Sequence, residues 1–221
     1  MKAVRRYGPF LSLLLCLGLA LPAAAQSGRA MAGNFDFFVL SLSWSPGFCT
    51  LEGGAKDVDQ CAPGNGLGFV VHGLWPQNEH GFPSDCDAAT RNPSRAALAE
   101  TQGVYPNIGL ARYEWRKHGT CTGESPTDYF RDVKRARDTI TIPAAFQAPQ
   151  STQSISPNAI ARAFFDANPR LRPGMMAVTC KRNVLEEVRI CLTKDLRGFR
   201  ACPEVVRMSC RSQQVSVPPP R

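Results

Sequence analysis

Residues 110–121 read LARYEWRKHGTC, so a short segment carries a carboxylate, a lysine, a histidine, an indole, a phenol and a cysteine. Glu114 and His118 are four residues apart, which on a helix puts them on one face, within touching distance. Lys117 lies on the same side, three residues after Glu114. Gly119 offers the left-handed residue that commonly ends a helix, placing Lys117 and His118 in the last turn of a helix near residues 108–118. The negative end of the helix dipole and a neighbouring carboxylate both favour imidazolium, so His118 is expected to carry a proton near neutral pH. On its own, a Glu and a His at this spacing more often form a solvated surface pair.

A second segment changes that balance. Phe69 to Pro76 is FVVHGLWP, and the alternation of Val70, His72 and Leu74 with Phe69, Val71 and Gly73 predicts a strand over 68–75. Both of its faces look apolar, so a central strand is expected. His72 would then line a pocket wall, where burial lowers its pKa. Gly73 removes a side chain next to it and permits close approach of another backbone or a ligand. Trp75 presents an aromatic face nearby.

Working outward, Phe35 to Trp44 (FDFFVLSLSW) reads as a strand closed by Ser45-Pro46-Gly47, followed by a loop over 51–66. A short helix over 93–101 is capped by Asn92, a second begins at Ser125-Pro126, and a third at Ser156-Pro157. Residues 146–154 look like a polar linker. Residues 175–179, 184–192 and 199–202 are strand-like, although Glu186, Glu187 and Arg189 interrupt the otherwise buried pattern of VLEEVRICLT. The tail over 215–221, VSVPPPR, is expected to be loose. Strands and helices mix without regular βαβ alternation, which makes the class α+β, in a single domain over residues 26–221.

Residues 1–25 read as an export signal: Lys2, Arg5 and Arg6, an apolar run, then Ala23-Ala24-Ala25, with cleavage expected after Ala25. The product is expected to be exported, periplasmic or secreted, with no membrane span. Its loss leaves 23 basic against 18 acidic residues, a net charge of +5, and eight of the nine cysteines. An even cysteine count in an exported chain reads as four disulfides, with several connectivities open. Twenty of the 26 basic residues are arginines, a composition suited to phosphate but weak evidence for it.

HGLWPQ at 72–77 and EWRKHGTC at 114–121 resemble the two active-site motifs of the ribonuclease T2 family. FDFFVLSLSWSPGFC at 35–49 and LEEVRICLTKDLRGFRACP at 185–203 extend the similarity in the family's order. The resemblance implies a central mixed or antiparallel sheet flanked by helices, stapled by Cys49–Cys61, Cys86–Cys121, Cys180–Cys210 and Cys191–Cys202. It also implies an endoribonuclease that needs no metal or other cofactor and cuts single-stranded RNA through a 2′,3′-cyclic phosphate to 3′-phosphate ends. In that scheme His118 is the general base and His72 the general acid, while Glu114 and Lys117 face the phosphoryl group. Trp75 becomes a stacking platform for bases, with Phe82 a second aromatic.

Two positions depart from the family pattern. Tyr113 stands where many relatives have a histidine that helps to hold phosphate, which brings a hydrogen-bond donor without a charge. Gln77 stands where relatives often have an aspartate that reads base edges, so low base specificity is expected. His80 matches no motif and is expected to be an exposed loop residue. A monomer is expected, with RNA as substrate and room for an inhibitor as a further partner. The competing expectation is a catalytically weak exported protein that binds RNA or a cell surface on the same fold. A metal-dependent phosphodiesterase would need more clustered His and carboxylate ligands than these motifs supply.

Overall fold

Phe37–Trp44 (β1) is buried at seven of its eight positions in the computed structural model, which describes residues 31–52, 58–86 and 88–221. The expected export signal lies outside the described residues. The chain continues through Ser45–Glu52 (α1), Val58–Cys61 (α2), Phe69–Gln77 (β2), Arg95–Ala99 (α3), Ile108–Lys117 (α4) and Pro126–Asp138 (α5). Gln153–Ile155 (β3), Pro157–Ala167 (α6), Met176–Lys181 (β4), Val184–Thr193 (β5), Pro203–Arg207 (α7) and Val215–Val217 (β6) complete it.

The strands form one sheet in the order β2-β1-β5-β6-β3, with β4 also paired to β5. All pairings are antiparallel except a parallel contact of β5 with β6. One face of β1 sends Phe38, Leu40, Leu42 and Trp44 into the main core, where Leu98, Phe130, Val133, Ile160 and Phe164 of the helices meet them. The other face buries Phe37 and Val39 against Ala177, Cys191, Cys202 and Val205. This is the expected α+β architecture, with a mixed sheet and flanking helices.

Several local expectations change. The strand of residues 69–77 is an edge strand, not a central one. Its Val71 and Leu74 enter the same core under α4 and α5, Tyr129 of α5 donating its hydroxyl to the Leu74 carbonyl at 3.0 Å. Ser45-Pro46-Gly47 opens α1. The helix after Pro93 is capped by Ser94, whose side chain accepts from the Ala97 amide. The supposed linker contains buried Phe146, packed among Trp44, Phe69 and Phe164, and then β3. The C-terminal tail is not loose: Val215 and Val217 are buried in the core, and Trp44 Nε1 donates to the Pro218 carbonyl at 3.0 Å. Proline after a short strand did not prevent packing, because β3 and Trp44 supply its partners. Among the described residues no helix is long and apolar enough to cross a membrane.

Candidate active site

The site is built around an irregularity in β2. Its register with β1 runs from Phe37↔Gln77 to Ser41↔Gly73 and resumes at Leu42↔Val71, so His72 is the extra residue of a β-bulge. The bulge breaks the strict alternation expected of this strand. Val71 and Leu74 both enter the main core, while His72 stays about a third exposed and turns toward β5.

There its Nδ1 hydrogen-bonds Glu187 Oε1. Glu187 is buried, and Arg189 Nε and Nη2 donate to its other oxygen at 2.8 and 2.7 Å. The guanidinium also lies 5.2 Å from the Trp75 ring centroid. These are the charged residues that interrupted the buried pattern of β5; that mismatch was the sequence signal for them, and their role was not read from it.

Glu114 reaches the same place from α4, whose start is capped by Asn107 accepting from the Leu110 amide. Its carboxylate is almost fully buried: Trp75 Nε1 donates to Oε2 at 2.7 Å, and His72 Nε2 lies 3.5 Å from Oε1. Glu114 makes no ion pair with His118 among the described residues, in contrast to the expectation from helical spacing. His118 has left the helix, as its C-cap, and its ring packs on Trp75 at 5.3 Å between centroids. Gly119 is not left-handed. It opens a single 3-10 turn, and a Cβ there would lie 2.4 Å from Trp115 and 2.9 Å from Tyr129.

The electrostatics of the two histidines reverse what local sequence suggested. Burial, then the charges of His72 and Lys117, push His118 down to about 3, with Asp85 opposing. Losing water outweighs the helix dipole, because the ring is buried and has no carboxylate partner. Burial also works against a charge on His72, but the hydrogen bond to Glu187, its charge and that of Glu114 outweigh burial and Arg189, so this pKa is raised. Glu114 is driven by burial up to about 7, against the pull of His72 and the Trp75 N–H. Glu187 goes the other way: burial opposes its charge, yet His72 and Arg189 hold it down at about 2.

The remaining predicted residues sit around this centre. Lys117 Nζ pairs with Asp85 at 3.0 Å on the surface. Tyr113 is half exposed and, with Ser43, Val70, His72, Leu110 and Glu187, lines a cavity of about 800 Å³. Phe82 is exposed with its ring 6.3 Å from His118, and Gln77 ends β2 with its amide turned to the Pro76 carbonyl. His80 is exposed, as expected, and meets Glu204.

Two imidazoles and a buried glutamate thus converge from the two motif segments. Residues 35–202, spanning both segments, match the model of the Ribonuclease T2 family. The chain belongs to the ribonuclease T2 family. It is 35% identical over 205 residues to a ribonuclease of Aeromonas hydrophila, covering 87% of this chain and 89% of that one. Among solved structures, an RNase-related protein from Calystegia sepium superposes with a TM-score of 0.67 at 24% identity, over 85% of this chain and 98% of that one. RNase NT in complex with 5′-AMP superposes with a TM-score of 0.61 at 21% identity, over 84% of this chain and 99% of that one. The disulfides pair as the T2 resemblance implied: Cys49–Cys61, Cys86–Cys121, Cys180–Cys210 and Cys191–Cys202. Cys86–Cys121 ties the segment carrying Asp85 to the turn just after α4.

Proposed function

We propose that this T2-family ribonuclease is an exported, metal-independent endoribonuclease that cleaves single-stranded RNA by transphosphorylation, with low base specificity. The observation that carries it is a pair of imidazoles in opposite settings: His72 is hydrogen-bonded to buried Glu187 and lies beside Glu114, which favours its charge, while His118 is buried against Trp75 with its Nδ1 unbonded among the described residues, which favours its neutral form. His118 takes the proton of the ribose 2′-hydroxyl, and the 2′-oxygen attacks the adjacent phosphorus. The bond to the 5′-oxygen breaks as His72 gives that oxygen a proton, leaving a 2′,3′-cyclic phosphate. With roles exchanged, the pair activates water, opens the ring and leaves a 3′-phosphate. Nδ1 of His118 is buried and makes no hydrogen bond among the described residues, so substrate meets this ring at Nε2.

Lys117 and Glu114 support the phosphoryl group. Exposed ion pairs such as Lys117–Asp85 are worth roughly 0–1 kcal/mol, so an incoming phosphate can draw the lysine away. The Trp75 ring already has His118 and Arg189 against it. The cavity beside Tyr113, together with exposed Phe82, therefore offers the open surface for nucleotides next to the reacting bond.

The test is cleavage of a defined RNA oligonucleotide with excess chelator, alongside His72→Ala and His118→Ala. Cyclic-phosphate ends followed by 3′-phosphates, absent in both variants and absent with DNA of the same sequence, are expected. Binding of RNA by folded wild type without cleavage at any pH would favour the binding-protein alternative.

A further inference from the structure

The bulge leaves His72 with no residue opposite it on β1, and its ring packs edge-on to Trp75 at 5.2 Å. On its Nδ1 side it meets a carboxylate that is itself fixed. Glu187 stands directly opposite Ser43 of β1 and Thr179 of β4, inside the sheet, and its side chain is 5% exposed. One of its oxygens takes the His72 Nδ1 hydrogen bond, and the other takes both Arg189 hydrogen bonds. Arg189 is 18% exposed and is held in turn by the Trp75 face and by Met208 Sδ at 3.5 Å from Nη1. A buried carboxylate is costly unless its charge is matched, and here a guanidinium on one side and an imidazole on the other match it.

We propose that Glu187, braced by Arg189, is the positioning residue for His72: it fixes the proton on Nδ1, aims Nε2 at the departing oxygen and keeps the ring charged until that proton is needed. The proposal rests on the two-histidine reading above. In the transfer step the Nε2 proton goes to the 5′-oxygen as its bond to phosphorus breaks. His72 becomes neutral with its remaining proton on Nδ1, still donated to Glu187, which stays ionised throughout. A second carboxylate alone would not suffice: Glu114 Oε1 lies 3.5 Å from Nε2, the nitrogen whose proton is transferred, and leaves Nδ1 to Glu187. The charged and titratable groups facing His72 are Glu187 and Arg189 from β5, Glu114 from α4, and His118 beyond it.

The experiment measures kcat/KM against pH on a defined RNA oligonucleotide for wild type, Glu187→Gln, His72→Ala and His118→Ala. The same proteins give histidine side-chain ¹⁵N NMR titrations. In Glu187→Gln the alkaline limb of the profile is expected to move down by about one pH unit or more, because the counter-charge is lost while Arg189 remains. The His72 titration should move by the same amount, and the acid limb set by His118 should stay in place. An unshifted alkaline limb and His72 titration in a folded Glu187→Gln protein overturns the positioning role. If Glu187→Gln does not fold, wild-type NMR decides: Nδ1 of His72 protonated at every pH, with the ring titrating above 6.5, supports the role, and any other tautomer overturns it. Full activity of both alanine variants would instead overturn the two-histidine reading itself.

Discussion

The Trp75 indole donates to Glu114 across a strand–helix gap that exists because residue 73 has no side chain. A Cβ on Gly73 would lie 2.1 Å from Glu114 Oε2 and 2.3 Å from Trp75 Nε1. Both groups are packed, so neither can retreat without breaking the 2.7 Å hydrogen bond. Gly73→Ala should therefore displace the carboxylate by around an ångström, and a shift of that size costs on the order of 10²-fold in rate. Overpacking should also cost about 1–3 kcal/mol of stability. Steady-state kinetics with thermal melts checks this; a variant with wild-type kcat/KM would show that Glu114's placement is unimportant.

The pH dependence follows from the two histidines. His118 must be neutral, which its depressed value of about 3 secures above mildly acidic pH. His72 must be protonated, and it loses its proton only above its ordinary 6.5. The kcat/KM profile should be a broad bell, falling on the acid side near 3 and on the alkaline side above 6.5.

Stability has its own signs. The depressed Glu187 contributes fully above the ordinary 4.5 and is lost as pH falls through about 2. The raised His72 contributes below 6.5 and is lost as pH rises through its higher value. Their pair stabilises most between about 4.5 and 6.5. The difference in melting temperature between wild type and Glu187→Gln should peak in that window, and a pH-independent difference would refute it.

The surface pair of Lys117 and Asp85 separates two roles for the lysine. If Lys117 offsets phosphoryl charge, Lys117→Ala should lower kcat by about 10–10²-fold while leaving stability within about 0.5 kcal/mol. Asp85→Asn releases the lysine without removing it, so it should retain wild-type activity or exceed it. Equal losses in the two variants would mean that the pair matters only as a brace at the helix end.

Much of this site was legible because its chemistry is local. His72, Glu114, Lys117 and His118 fall in two short motifs, whereas Gly73 suggested the approach of a backbone or a ligand and instead makes room for the side chains of Glu114 and Trp75. What was not legible depends on pairing between distant strands. The bulge at His72 of β2, opposite Ser41 and Leu42 of β1, is invisible in the sequence alternation, so His72's orientation and its tie to Glu187, 115 residues away, were out of reach. The protonation of His118 was misjudged for a related reason: helix dipole and spacing are readable locally, whereas burial against Trp75 depends on the tertiary fold.

The C-terminal tail gives the sharpest test of what composition hides. Three prolines suggested a loose end, yet Val215 and Val217 are each about 1% exposed, and β6 bridges β5 to β3. Trp44 Nε1 donates to Pro218, and the Gly66 amide donates to the Arg221 carbonyl at 2.8 Å. Burying a valine is worth about 1.5–3 kcal/mol, and each hydrogen bond adds about 0.5–1.5 kcal/mol. Ending the chain after Gln214 should therefore cost at least about 3 kcal/mol, seen as a large drop in the denaturation midpoint. Trp44 would also lose the Pro218 carbonyl as its hydrogen-bond acceptor in a fully buried setting, so its fluorescence should shift before global unfolding. Among the described residues no hydrogen bond or ion pair joins His72 or Glu114 to the tail, so the part of the truncated protein still folded at low temperature should cleave RNA at the wild-type rate. A truncated chain with an unchanged midpoint would show the tail to be dispensable, as its composition first suggested.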